Sequence, residues 1–188
     1  MSSVNDWDLV ARAQKGDMNA FAELVQRYQR PVVQFCYRMV GSTPDAEDIG
    51  QETFVRVYRH LSRLRPRAKF STLLFGIARN LTLNFLRDAK RRGHGRDQPI
   101  ETVFAVGDET QRPDGVARLR EMEELVARGM DLLSPDHREI LVLRELNGLD
   151  YEAIAQVVRC RKGTVKSRLA RARDQLRAQM VRLAGEVI

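Results

Sequence analysis

Cysteine is scarce in this chain. Cys36 and Cys160 are the only two in 188 residues, and neither stands in a Cys-x-x-Cys or Cys/His spacing that would hold a metal ion. A disulfide framework and a structural zinc site are thereby excluded, and a reducing, cytoplasmic setting is the expectation. No apolar run approaches the roughly 20 residues that a bilayer demands, so no membrane insertion is expected. Met1–Asp8 has neither the basic start nor the apolar middle of a signal peptide. Histidine occurs only as the scattered His60, His94 and His137, with no nucleophile–base pair and no phosphate-binding glycine loop. Catalysis, a metal and a cofactor all lack residues to carry them, which points away from an enzyme.

Positive charge is what the chain has in excess. Its formal net charge of +7 favours nucleic acid or an acidic surface as partner. The distribution is more telling than the total. Residues 53–92 carry a net +10 and residues 153–188 a net +7, whereas 1–52, 93–117 and 118–152 are each net acidic. Two basic blocks, each preceded by an acidic one, suggest two separate contacts with nucleic acid.

The second basic block contains a helix, a four-residue turn and a strongly basic helix, DYEAIAQVVRCRKGTVKSRLARARDQL (150–176). Asp150 is placed to cap the first helix. Ala155 is small where two crossed helices approach, and Cys160 in the turn reads as a packed thiol. In the second helix Val165, Leu169, Ala172 and Leu176 repeat at helical spacing, leaving Thr164, Ser167, Arg168, Arg171 and Gln175 on the opposite face. Such a helix suits the DNA major groove, where these groups reach phosphates and base edges. An amphipathic surface helix with solvated arginines is the plainer reading of the same pattern.

Nearly all the rest reads as helix, with no convincing strand. One helix runs from about Asp6 to Gly16. A second runs from about Asn19 to Gly41, with Pro31 expected to kink or divide it. Thr43-Pro44-Asp45, read as capping hydroxyl, first-turn proline and dipole-favoured acid, starts a third that reaches about Leu61. A basic loop leads to a fourth over about Ser71–Arg92. Residues 93–115, with four glycines and two prolines, read as a linker. Its Ile100, Val103, Phe104 and Val106 either dock on a partner or pack as a turn on one domain. The C-terminal domain begins near Val116, and Ser134-Pro135-Asp136 starts a further helix that ends at Asn147-Gly148. The expected fold is all-α: two small helical domains, 1–92 and 116–188, joined by a flexible linker, the second a helix-turn-helix.

Two N-terminal helices have a second useful face. On the third, Ala46, Thr53, Phe54, Val57 and Leu61 cluster as core, with Asp45, Asp48, Gln51, Glu52 and Val55 opposite. Three carboxylates around a valine fit a dock for a basic protein helix, although periodicity alone favours a solvated face. On the fourth, Asn80, Asn84, Arg87 and Arg91 share a face suited to base edges and phosphates. The loop before it brings Arg63, Arg65, Arg67, Lys69 and Phe70, cations around an aromatic, as single-stranded DNA would require. Phe70 fits either base stacking or the core.

Four segments, DAEDIGQETFVRVYRHL (45–61), FSTLLFGIARNLTLNFLRDAKRR (70–92), LSPDHREILVLRELNGLDYEAIA (133–155) and GTVKSRLARARDQL (163–176), together resemble the extracytoplasmic-function sigma factors of bacteria. The resemblance spans almost the whole chain, in order. It implies binding to core RNA polymerase, recognition of the minus-35 and minus-ten promoter elements, DNA opening and control by an anti-sigma factor. By motif position, Asp45, Asp48, Gln51, Glu52 and Val55 become core-polymerase contacts. Arg65, Arg67, Lys69, Phe70, Asn80, Asn84, Arg87 and Arg91 become minus-ten contacts. Arg161, Lys162, Thr164, Lys166, Ser167, Arg168, Arg171 and Gln175 become minus-35 contacts. The family usually has tryptophan where this chain has Leu73, and aspartate where it has Asn84. A lone helix-turn-helix repressor would leave the acidic face and the first basic block unexplained, and a nuclease would need a metal site or nucleophile that is not visible.

Overall fold

In the computed structural model, residues 5–92 and 113–185 are described; among them are eight α-helices and no strand. The side chains of residues 113–120, and residues 93–112 of the expected 93–115 linker with Ile100, Val103, Phe104 and Val106, lie outside the described residues. The first unit comprises α1 (Asp6–Gln14), α2 (Met18–Val40), α3 (Thr43–Arg59), a 3₁₀ turn (Leu61–Arg63) and α4 (Phe70–Arg91). The second comprises α5 (Pro113–Asp131), α6 (Pro135–Leu141) running into a π-helical turn (Val142–Leu146), α7 (Tyr151–Val158) and α8 (Lys162–Gly185).

Helix ends follow local chemistry, with some departures from the sequence expectation. Asp17 caps α2 by accepting from the Asn19 and Ala20 N–H groups, and its carboxyl is held low chiefly by Arg12. Gly41 closes α2 in the left-handed region at φ 81°, which glycine adopts without steric cost. The cap of α3 is Ser42, not Thr43: the Ser42 hydroxyl accepts from Asp45 N–H, which puts Pro44 within the first turn. Helix α2 passes through Pro31 as one element. Val32, Phe35 and Cys36 are buried just beyond the proline, and burial outweighs the one hydrogen bond that proline forfeits. Helix α5 begins at Pro113, a little before the expected start near Val116.

The first unit buries Leu24, Phe35, Leu74 and Phe75 around the crossing of α2, α3 and α4. Gly50 lets α3 approach α2, because a Cβ there would come within 2.8 Å of Val33 Cγ2. In the second unit Ile140, Leu143, Ile154, Val165 and Leu169 fill the space between α6, α7 and α8. Arg138 is buried there, donating to the carbonyls of Met130 (2.9 Å), Asp131 (2.7 Å) and Leu133 (3.2 Å) and so closing the α5–α6 corner.

The two units are docked, α4 against α7 and α2 against α6. A two-toothed ion pair crosses between them: Arg79 Nε donates to Glu139 Oε1 at 2.6 Å and Nη2 to Oε2 at 3.2 Å. The Glu139 side chain is 5% exposed, and burial pushes its carboxyl above the ordinary value even though Arg79 opposes the shift. Asn147 donates to the Pro31 carbonyl at 3.4 Å, and Lys69 pairs with Asp150 at 2.7 Å in the open.

Candidate nucleic-acid interface

The loop from His60 to Lys69 bears the first set of cations. Leu61 anchors it in the core, while Arg63, Arg65, Arg67 and Lys69 are exposed. Arg65 folds back on its own loop, donating to the carbonyls of Ser62 (3.0 Å) and Leu64 (2.8 Å). A cavity of about 300 Å³ opens beside it, lined by Trp7, Leu64, Ala68, Leu73 and the three arginines. Leu73, at the family's tryptophan position, is half-buried against the core.

Phe70 corrects the stacking expectation. Its ring is 1% exposed, with Trp7 edge-on at 6.1 Å and Tyr28 tilted at 5.7 Å between centroids. An aromatic ring enclosed by two others is core and offers no face to a base. Further along α4, Asn80, Asn84, Arg87 and Arg91 are all exposed on one face, as their spacing requires. Arg87 donates to the Asn84 amide oxygen, and Arg91 pairs with Asp88, whose carboxyl Arg91 holds low.

The second set lies on α8. Val165, Leu169 and Ala172 are buried and Leu176 is half-buried, which turns Lys166, Ser167, Arg171 and Gln175 outward with Arg161 and Lys162 just ahead. Thr164 and Arg168 sit at the edge of the packed side. Neighbouring helices engage several of these groups. Arg168 approaches Asp136 at 3.6 Å, Lys162 approaches Glu152 at 3.7 Å, and the Gln175 amide oxygen lies 2.7 Å from His137 Nδ1. Lys166 stands over the Tyr151 ring at 6.0 Å, and the Ser167 hydroxyl donates to the Thr164 carbonyl at 3.1 Å. Asp150 caps α7 through Ala153 N–H at 2.8 Å, its carboxyl held low first by Lys69 and then by that cap. The helix-turn-helix corner passes through Arg159 at φ 55° and Cys160, which packs at the edge of the core.

The acidic face of α3 is reproduced in part. Asp48, Gln51 and Val55 are exposed, Asp45 and Glu52 half-buried, and Glu52 pairs with Arg56 at 2.8 Å. Beside this face a groove of about 850 Å³ runs between α2 and α3. Gln51 and Val55 line it; Asp45, Asp48 and Glu52 do not. Val25, Gln29, Val33, Gln34 and Tyr37 supply its α2 wall, and the sequence did not single them out as a surface. Their i, i+4 recurrence on α2 was the available signal, but on one helix it is indistinguishable from a core stripe. Among the described residues no cluster of His, Cys, Asp and Glu is arranged to hold a metal, and no helix is long and apolar enough to cross a membrane.

Residues 24–92 match the family model Sigma-70 region 2, and residues 123–176 match Sigma-70, region 4. The chain is 36% identical over 181 residues to the RNA polymerase sigma-H factor of Pseudomonas aeruginosa, covering 94% of each. It is 39% identical over 178 residues to the ECF RNA polymerase sigma-E factor of Escherichia coli, covering 92% of this chain and 93% of the relative. Among solved structures it resembles CnrH in complex with the cytosolic domain of CnrY, with a TM-score of 0.67, 28% identity and 92% and 95% of the two chains covered. The fold also matches the sigma factor RpoE in complex with the anti-sigma factor NepR from Bartonella quintana, at a TM-score of 0.67 and 23% identity over 85% and 96% of the chains. With both sigma regions matched in order and full-length relatives above 30% identity, this chain belongs to the extracytoplasmic-function sigma factors.

Proposed function

We propose that this sigma factor directs core RNA polymerase to its promoters through three surfaces, and that it has no catalytic chemistry of its own. The α2–α3 groove and the adjoining Asp45, Asp48, Gln51, Glu52 and Val55 take a basic, partly apolar helix of core polymerase. The loop with Arg65, Arg67 and Lys69, continued by Asn80, Asn84, Arg87 and Arg91, takes the single-stranded minus-ten element. Helix α8, with Arg161, Lys162, Thr164, Lys166, Ser167, Arg168, Arg171 and Gln175, takes the duplex minus-35 element. In this reading residues 1–92 and 116–188 are the two functional domains, 93–115 connects them, and the protein works in the cytoplasm.

The observation that carries the reading is the presence of a cationic surface on each of two helical units, with a groove beside the acid-bearing face of α3 as a third surface. Reading both elements also requires the units to part. The elements are about 25 base pairs apart, or roughly 85 Å of duplex, whereas α4 and α7 touch here. The Arg79–Glu139 pair is therefore a contact of the docked form only. The fold shared with the sigma factor RpoE, solved in complex with the anti-sigma factor NepR, supports anti-sigma control, which would act by covering the groove or by holding the units together. Run-off transcription tests the proposal: core polymerase plus this chain should produce discrete transcripts that core alone does not. Absence of new start sites across a genomic template library would overturn it.

A further inference from the structure

Two side chains of α1 hold three main-chain carbonyls of the basic loop. Trp7 Nε1 donates to the Ala68 carbonyl at 2.8 Å. Gln14 Nε2 donates to the carbonyls of Leu61 at 2.8 Å and Leu64 at 3.1 Å. The two residues are seven apart, two helical turns, and so share one face of α1. Helix α1 is itself fixed: the Asp6 carboxylate accepts from Arg27 and from the Tyr28 hydroxyl of α2, each at 2.6 Å, and Leu9, Val10 and Ala13 are buried. Burial and Asp6 push the Tyr28 phenol up, so the hydroxyl remains a donor. Helix α1, with Trp7 and Gln14, precedes the 24–92 segment that matches sigma region 2.

Between the held carbonyls stand Arg63, Arg65 and Arg67, three exposed cations in five residues. Like charges this close repel and would spread an unrestrained loop over many conformations. A loop ordered in advance avoids losing that freedom when it binds a strand that is itself flexible. We infer that Trp7 and Gln14 are positioning residues for promoter opening: they fix the backbone of the 61–68 loop so that its arginines meet single-stranded phosphates already arranged. Trp7 also walls the cavity lined by those arginines and Leu73, so the clamp and the cationic surface form one structure. The inference rests on the minus-ten reading of this loop.

The test uses holoenzyme made with Trp7→Phe, which keeps the ring against Phe70 and deletes the N–H, and with Gln14→Met, which keeps length and deletes the donor. Affinity for a forked template with a single-stranded minus-ten element is measured beside affinity for core polymerase and the melting temperature of the free chain. Each variant should weaken fork binding by about threefold to tenfold, the scale of the one hydrogen bond that Trp7→Phe deletes or the two that Gln14→Met deletes, with core affinity and melting temperature close to wild type. Unchanged fork binding, or a loss that merely tracks core affinity and melting temperature, would overturn the clamp. Arg63→Ala and Arg67→Ala serve as controls. If they leave fork binding intact, the minus-ten reading fails and the clamp with it; if they weaken it while Trp7→Phe and Gln14→Met do not, the clamp alone fails.

Discussion

The two cationic surfaces are built by opposite means. In the first unit the cations stand mainly on a loop, and order comes from outside it: Trp7 and Gln14 hold its carbonyls, and Phe70 plugs its end into an aromatic cluster with Trp7 and Tyr28. In the second unit the cations stand on or just before one helix, whose order is internal and which the buried stripe Val165, Leu169 and Ala172 seats on its neighbours. The difference fits the targets proposed for them. A duplex groove is a rigid, regular shape that a rigid helix fits. An unpaired strand has no fixed shape, so its binding surface must supply the order. Surfaces that read melted DNA are thus expected to depend on remote supporting residues more than surfaces that read duplex.

The largest expected effect breaks that comparison at its aromatic support. Phe70→Ala should cost about 3–5 kcal/mol of stability in the first unit, as removal of a fully buried ring does, read as a loss of melting temperature in the free chain. An exposed stacking residue would leave stability unchanged and lower only fork binding. Next in size is the effect at the proposed dock for core polymerase. Asp48→Lys with Glu52→Lys should weaken association with core polymerase at least about 100-fold by placing like charges across the interface. Stability should change by under roughly 1 kcal/mol, because Asp48 is exposed and half-buried Glu52 loses only a solvent-screened pair with Arg56. A titration that finds wild-type affinity would remove this face from the dock.

Smaller effects sharpen the distinction within α8. Arg171 is exposed and has no ion-pair partner among the described residues, whereas Arg168 is half-buried near Asp136. Arg171→Ala in holoenzyme should cost about 1–3 kcal/mol and relax preference at one minus-35 position. Arg168→Ala should weaken all sequences alike, and selection from a randomised minus-35 library separates the two. The smallest effect is chemical. Burial pushes the Cys36 thiol up to about 11, so at pH 8 it stays protonated and should resist alkylation in the folded chain. Cys160, at the half-buried helix-turn-helix corner, should react first, and mass spectrometry of the labelled peptides reads the order.

Periodicity made the helices and their core stripes legible, because an apolar residue every three or four positions has only one way to be buried. Ends were less so: Ser42 and Thr43 both carry a capping hydroxyl, and only the backbone turn at Gly41 decides between them. Pro31 does not divide α2, because its local cost is overridden by the burial of the helix around it. Phe70 was ambiguous for a related reason, since an aromatic beside cations has the same sequence pattern whether it faces out or in. Features made by distant segments left no trace in the sequence. The Arg79–Glu139 pair, the α2 wall of the groove and the grip of Trp7 and Gln14 on the loop each join residues that local spacing cannot relate.

In the proposed mechanism one chain reads two separated elements only as part of a polymerase complex. Transcription by the reconstituted holoenzyme from a promoter set in which the spacer between minus-35 and minus-ten is lengthened base pair by base pair tests it most directly. Five added base pairs are about half a helical turn and put the two elements on opposite faces of the duplex, so initiation should collapse while the free chain shows no tight specific binding to either template. Specific nanomolar duplex binding by the free chain, indifferent to the spacer and to Asp48→Lys with Glu52→Lys, would contradict the account.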